Sequence, residues 1–254
     1  MKRLLKIELK KIIPYRTFLV LMGLYLFLLL FVTSGIGSFT INSVNLANFS
    51  LYSFPKVWHN ITFVASFFNI ILAIMVIIFI ANEFEYRTIR QNIIDGLSRL
   101  DFILSKLLSI FLLTLTSSLF IVLLILFLGL SNTVETSHIS IFTGSSFIVA
   151  YFIQLFSYLS FTLFVVFLIK RSGLAIGLLL LYSLGIEPLI AYKLPSFAAS
   201  FLPLEAIGLI QNPFQSLIGI PDQIEVPLKD MVLSIIYGLS FNTLTCFRFS
   251  KMDI

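Results

Sequence analysis

Side chains able to do acid–base, metal or nucleophilic chemistry are few in this chain, and they crowd into one stretch. Residues 82–106 read NEFEYRTIRQNIIDGLSRLDFILSK; eight of them are charged (Glu83, Glu85, Arg87, Arg90, Asp95, Arg99, Asp101, Lys106), against 11% over all 254 residues. Charges interleaved in this way support a helix through i,i+4 pairs and present a mixed-charge rim to a partner's groove. Elsewhere the chemistry thins out. His59 and His138 are isolated and fall in loops, where a lone histidine reads as a polar surface residue. Cys246 is the single cysteine, so there is neither an intrachain disulfide nor a cysteine metal cluster. No G-x-x-x-x-G-K-[ST] occurs, which excludes a P-loop nucleotide site, and the apolar runs hold no H-E-x-x-H, G-x-S-x-G or paired aspartates. An ion relay would leave acids or bases deep in the apolar runs. The one candidate is Glu187, near the end of the fifth run; reaching the outer interface is the preferred reading and lining a path the alternative. Gln154 and Asn242 are explained by hydrogen bonds between helices.

The elements that position these residues are membrane spans. The chain is 59% hydrophobic with a mean hydropathy of +1.05, far above the roughly 45–50% apolar share of soluble domains. Its charge of +5 is no nucleic-acid signal, because Lys and Arg cluster at the ends of apolar runs. About 20 apolar residues cross a bilayer as a helix. Six stretches qualify: Thr17–Gly37, Ile61–Ala81, Leu107–Leu130, Ser146–Ile169, Gly173–Ile190 and Met231–Phe247. The fifth is the weakest, being short and followed at once by Glu187-Pro188. No small-residue cleavage site follows the first run, so it is read as a span and not as a signal peptide. Six alternating crossings place fourteen of the seventeen Lys and Arg residues on one side, leaving Lys56, Lys193 and Lys229 on the other. The positive-inside rule then puts both termini and residues 82–106 in the cytoplasm. The expected fold is all-α, a single transmembrane domain over 1–254 without internal repeats.

Three flanking features complete the layout. Residues 1–16 carry Leu5, Leu9, Ile12 and Ile13 on one helical face and Lys2, Lys6 and Lys10 on another, the pattern of a helix lying in the membrane interface, ended by Pro14. Phe49, Tyr52, Phe54 and Trp58 suit an aromatic belt at the outer interface. Residues 195–221 are apolar but cut by Pro195, Pro203, Pro213 and Pro221; pieces this short read as re-entrant or interfacial helices.

Within the charged stretch, Glu83 and Arg87 stand four apart, and Ile89, Ile93 and Ile94 form an apolar face. Gly96 can end that helix. Ser98 can cap the next, with Asp101 at the reach-back position. The pattern is a short amphipathic helix, a break, and a helix running into the third span through Lys106, suited to docking on a soluble partner. The simpler alternative is a solvated loop.

Glu83, Thr88, Ser98-Arg99 and Lys106, placed between the second and third spans, resemble the coupling segment of type-2 ABC exporter permeases. The basic amphipathic N-terminus, the six spans and the broken helices before the last span agree in layout, whereas the motif itself covers about 25 residues. Many members carry glycine directly before the threonine, where this chain has Arg87. The resemblance implies an assembly of two permeases, this chain with a second copy or a paralogue, and two separate ABC ATPase subunits that bind ATP and Mg. This chain would hold no cofactor and catalyse nothing. It would couple to the ATPase over 82–100 through Glu83, Phe84, Glu85, Arg87, Thr88, Arg90, Ile93, Gly96 and Arg99. Glu187, Pro203 and Glu205 would belong to the path or its outer gate. The setting implied is a bacterial cytoplasmic (inner) membrane, with lipid contacts and no nucleic-acid partner. The rivals are a membrane scaffold or assembly subunit, and a secondary transporter or channel.

Overall fold

Backbone N–H and C=O groups in hydrocarbon find no partner except each other, so apolar runs of this length become helices. The computed structural model of the chain is accordingly all-helical apart from one two-residue antiparallel ladder (Thr40–Ile41 with Val44–Asn45), and six of its helices are long and apolar enough to cross a membrane. The structure describes residues 15–35, 40–41, 44–45, 52–94, 96–133, 141–213, 223 and 225–252. The expected interfacial helix over 1–16 therefore lies outside the described residues except for Tyr15 and Arg16, as do Phe49, Asp95, His138 and the part of 195–221 beyond Pro213.

In chain order the helices are α1 Arg16–Gly35, α2 Lys56–Glu85, α3 Thr88–Ile94, α4 Arg99–Asn132, α5 Ser146–Ile169, α6 Ser172–Leu181, α7 Glu187–Lys193, α8 Ser196–Ala199, α9 Pro203–Ile207 and α10 Leu228–Ser250. A π-helical turn, Tyr182–Ile186, fuses α6 and α7 into one span, Ser172–Lys193. Pro188 is the cause we assign to that turn. It has no N–H to give to Leu184 and its ring would strike that carbonyl; the wider turn absorbs the clash, and the Glu187 N–H bonds back to Tyr182 O, five residues earlier. The fifth span is thus a full crossing of 22 residues, longer than its sequence suggests.

Consecutive spans run antiparallel, which gathers α1's start, α2's end, α4's start, α5's end and α10's end at one pole. Of the described cations, Arg16, Arg87, Arg90, Arg99, Lys106, Lys170, Arg171, Arg248 and Lys251 lie at this pole and Lys56, Lys193 and Lys229 at the other. The core is built on α2 and α5, the two most buried spans. Helix α5 also packs along α10, where Ser157 Oγ donates to Ser234 O at 2.9 Å. Gly238 lets the two backbones approach: a Cβ there would stand 2.7 Å from Ser157 Oγ, the small-residue packing expected where no hydrophobic force drives helices together in lipid.

Candidate functional site

The basic pole is assembled from the charged stretch. Helix α2 continues past the apolar run, and Asn82 Nδ2 donates to Tyr15 Oη at 2.6 Å. Glu83 turns inward and is only 7% exposed. Each of its carboxylate oxygens stands 2.7 Å from Lys106 Nζ, itself fully buried and lying over the rings of Phe79 and Phe102. This pair ties the end of α2 to α4. Phe84 packs edge-on against Phe167 of α5 at 5.2 Å. Glu83 and Arg87 do not share a helix as their spacing predicts: α2 stops at Glu85, Tyr86 caps it, and Arg87 takes a left-handed φ of 53°. The amphipathic helix is the shorter α3. Its Thr88 hydroxyl donates to Glu83 O at 3.3 Å, and Ile89 is buried at 3% exposure, whereas Ile94 points outward. The Ile93 side chain lies outside the described residues.

Gly96 ends α3 as expected. Its φ of +94° allows Leu97 N to reach Asn92 O at 3.0 Å, the closure of a Schellman turn. Ser98 caps α4, accepting from Asp101 N at 3.1 Å and donating to the Asp101 carboxylate at 2.6 Å. Arg99 is chiefly a clasp: its guanidinium donates to Ser250 O at 2.7 Å and Met252 O at 3.0 Å, satisfying carbonyls at α10's C-terminus. Also outward-facing are Glu85, Tyr86, Arg87, Arg90, Gln91, Ile94, Gly96 and Leu100; their exposed apolar side chains, the ridge, stand among charged ones on elements anchored to α2, α4, α5 and α10. A recess of about 200 Å³ lies beside it, lined by Glu83, Phe84, Arg87, Ile89, Arg90, Lys170 and Met252.

At the opposite pole Glu187 turns into the protein. It is 2% exposed, and its Oε1 accepts from Leu204 N at 2.6 Å and Glu205 N at 2.9 Å, the free amides at the start of α9. Pro203 occupies the first turn of α9, where a missing N–H costs nothing, and Glu205 is exposed. The irregular backbone after α9 is satisfied by side chains: Gln154 Oε1 accepts from Leu209 N and Ile210 N, and Gln223 bonds both Leu209 O and Gln211 N. Broken backbone at such depth is tolerated only when protein covers it in this way. A cavity of about 230 Å³ adjoins α9 and includes Asn69, Gln154, Tyr158 and Ser183 in its wall.

Two readings from sequence are overturned here. His59 lies inside α2, not on a surface: it is 6% exposed, stacked on Phe147 at 4.4 Å, with Nε2 2.8 Å from Gln211 O. Trp58 and Phe54 are likewise internal, each 3% exposed, and Trp58 Nε1 donates to Ile141 O at 2.8 Å. They plug the bundle's end and form no belt. The most connected polar group escaped the sequence reading altogether. Tyr25 bonds Ser117 at 2.6 Å, and Tyr151 donates to Asn69 Oδ1 at 2.8 Å while lying 3.3 Å from Ser117 Oγ. These residues, all buried, pin α1, α2, α4 and α5 together in mid-bundle. A polar residue halfway along an apolar run was the available signal, and Asn69 has it. Among the described residues no group of three His, Cys, Asp or Glu side chains could hold a metal ion.

No family model matches the chain, and no curated protein matches it significantly.

Proposed function

We propose that this chain is the permease subunit of an ATP-binding-cassette transporter of the type-2 exporter kind, driven by a separate ATPase docked on residues 82–100. The observation that carries the reading is the outward ridge of Tyr86, Ile94 and Leu100, which are 73%, 77% and 65% exposed and rimmed by Glu85, Arg87 and Arg90. Apolar side chains held out into water beside mixed charge mark a docking surface. The ridge is braced by the Glu83–Lys106 pair and the Arg99 clasp, so a push on it is delivered to α2, α4 and α10. The asymmetry of cations supports a cytoplasmic side for this pole, and the reading includes residues 1–16 as an interfacial helix and the bacterial inner membrane as the setting. ATP and Mg would be bound by the ATPase; this chain has no catalytic role. A second permease, identical or paralogous, would cover the apolar faces of the first and fifth spans, the least buried of the six. The short helices α8 and α9, the latter held at Leu204 and Glu205 by Glu187 and opened by Pro203, would form the outer gate.

Co-purification tests the docking. A stoichiometric P-loop ATPase is expected with the detergent-solubilised chain, and Ile94→Asp or Leu100→Asp should release it while the melting temperature stays within about 2 °C, as for an exposed substitution. An ATPase retained equally by both variants would remove the ridge as its seat. A stoichiometric partner without ATPase activity would favour the scaffold alternative.

A further inference from the structure

Two carboxamides stand in the wall of the cavity of about 230 Å³ beside α9, Asn69 from α2 and Gln154 from α5. In each the oxygen is engaged. Asn69 Oδ1 accepts from the Tyr151 hydroxyl at 2.8 Å, and Gln154 Oε1 accepts from Leu209 N at 3.1 Å and Ile210 N at 3.3 Å. Backbone amides can only donate, so Gln154 turns its oxygen to them and its nitrogen away. Neither Asn69 Nδ2 nor Gln154 Nε2 has a hydrogen-bond partner among the described residues, and neither is sealed from open space. Asn69 is only 4% exposed, so the space its nitrogen meets is the cavity itself. The hydroxyls of the same wall are already spent: Ser66 Oγ donates to Phe63 O at 2.6 Å, Ser183 Oγ to Leu180 O at 3.5 Å, and Tyr158 interacts with Ser183.

Asn69, Gln154 and Ser183 all lie inside membrane spans, where hydrocarbon supplies no acceptor and an unmet N–H is costly. Among the described residues no Lys, Arg, His, Asp or Glu side chain lines the cavity. An anion seated there would lack a counter-charge, and a cation would meet donors. Phe67 and Leu184, 64% and 72% exposed, belong to the same wall; water would satisfy the two nitrogens but leave these apolar surfaces unfilled. We propose that the cavity binds the uncharged carbonyl of an apolar ligand, an amide or an ester, through Asn69 Nδ2 and Gln154 Nε2. The two donors are held in place by the bonds their oxygens make, so little ordering is needed on binding. Binding there requires this chain alone, with or without an ATPase.

The full chain in nanodiscs of diether phosphatidylcholine, which carries no ester, provides the test. Dipentyl ketone should bind about tenfold more tightly than undecane once partitioning into empty nanodiscs is subtracted, because a site built to donate hydrogen bonds rejects the analogue that cannot accept them. Asn69→Leu and Gln154→Glu each remove one donor group, the second keeping the oxygen that holds Leu209 and Ile210. Each should cut the preference for the ketone to about twofold or less and leave undecane binding in place, a split that a merely structural role would not produce. Equal binding of ketone and alkane by the unaltered chain overturns the proposal, whether or not the variants fold, and leaves water as the occupant. A ketone preference that persists in both variants, or tighter binding of decanoate than of the ketone, equally overturns it. Loss of the preference in diester phosphatidylcholine would identify bilayer esters as the carbonyl source; its persistence, with N-acetyl-leucine N-methylamide as a competitor, would identify a peptide-like ligand, and both results uphold the carbonyl site. Failure at this cavity leaves docking on the ridge intact, and absence of an ATPase leaves this cavity's chemistry untouched.

Discussion

The Lys106 ammonium has no water to solvate it; its charge is carried by Glu83 and by the faces of Phe79 and Phe102. Breaking such a buried pair is costly because one charge is left uncompensated, whereas replacing both partners by apolar groups is often neutral. Glu83→Gln alone should therefore destabilise the chain by about 3–5 kcal/mol, and Glu83→Leu with Lys106→Met by far less, as read by thermal unfolding of purified protein in detergent. Equal losses in the single and double variants would mean that the pair does not brace α2 against α4. The sequence places Glu83 and Lys106 near each other but not against each other. Their spacing of 23 residues crosses a helix break, and whether two such charges pair or face solvent depends on how the break folds. Arg87 decides it: the turn at φ 53° swings α3 aside and leaves Glu83 facing inward.

At the scale of elements, the spans were legible because twenty consecutive apolar residues admit one solution in hydrocarbon. Their extensions were not. Helix α2 begins five residues before the predicted Ile61 and α4 begins eight before Leu107, since polar residues at a span's end form helix as readily once another helix shelters them. His59 and Trp58 were misplaced for the same reason: their partners are backbone carbonyls of Gln211 and Ile141, which loops bring back from far along the chain. The Gly96 stop and the Ser98 cap were legible because they depend only on neighbours within five residues. The contact of α5 on α10 rests on Gly238. Gly238→Leu should lower stability by about 1–3 kcal/mol through overpacking against Ser157. Gly177→Leu, with nothing within 4 Å of its Cβ, should leave the melting temperature unchanged. Equal shifts at the two glycines would contradict the packing of α5 on α10.

Over the whole molecule, one pole holds nine of the twelve described cations and an outward apolar ridge, and the other is sealed by side chains that bind broken backbone. Such an asymmetry suits a membrane subunit worked from one side. Apolar runs almost free of charge fit the proposed drive from outside the chain. The cargo of the proposed permease was not legible, because lipid-facing and cargo-facing helices share the same apolar composition. The decisive measurement is ATP hydrolysis by the co-purified ATPase, alone and reconstituted with this chain in proteoliposomes. We expect the rate to change severalfold on reconstitution, and Arg99→Ala, which opens the clasp between α4 and α10, to bring it back toward the rate of the free ATPase with docking retained. A hydrolysis rate indifferent to the presence of this chain would contradict the account.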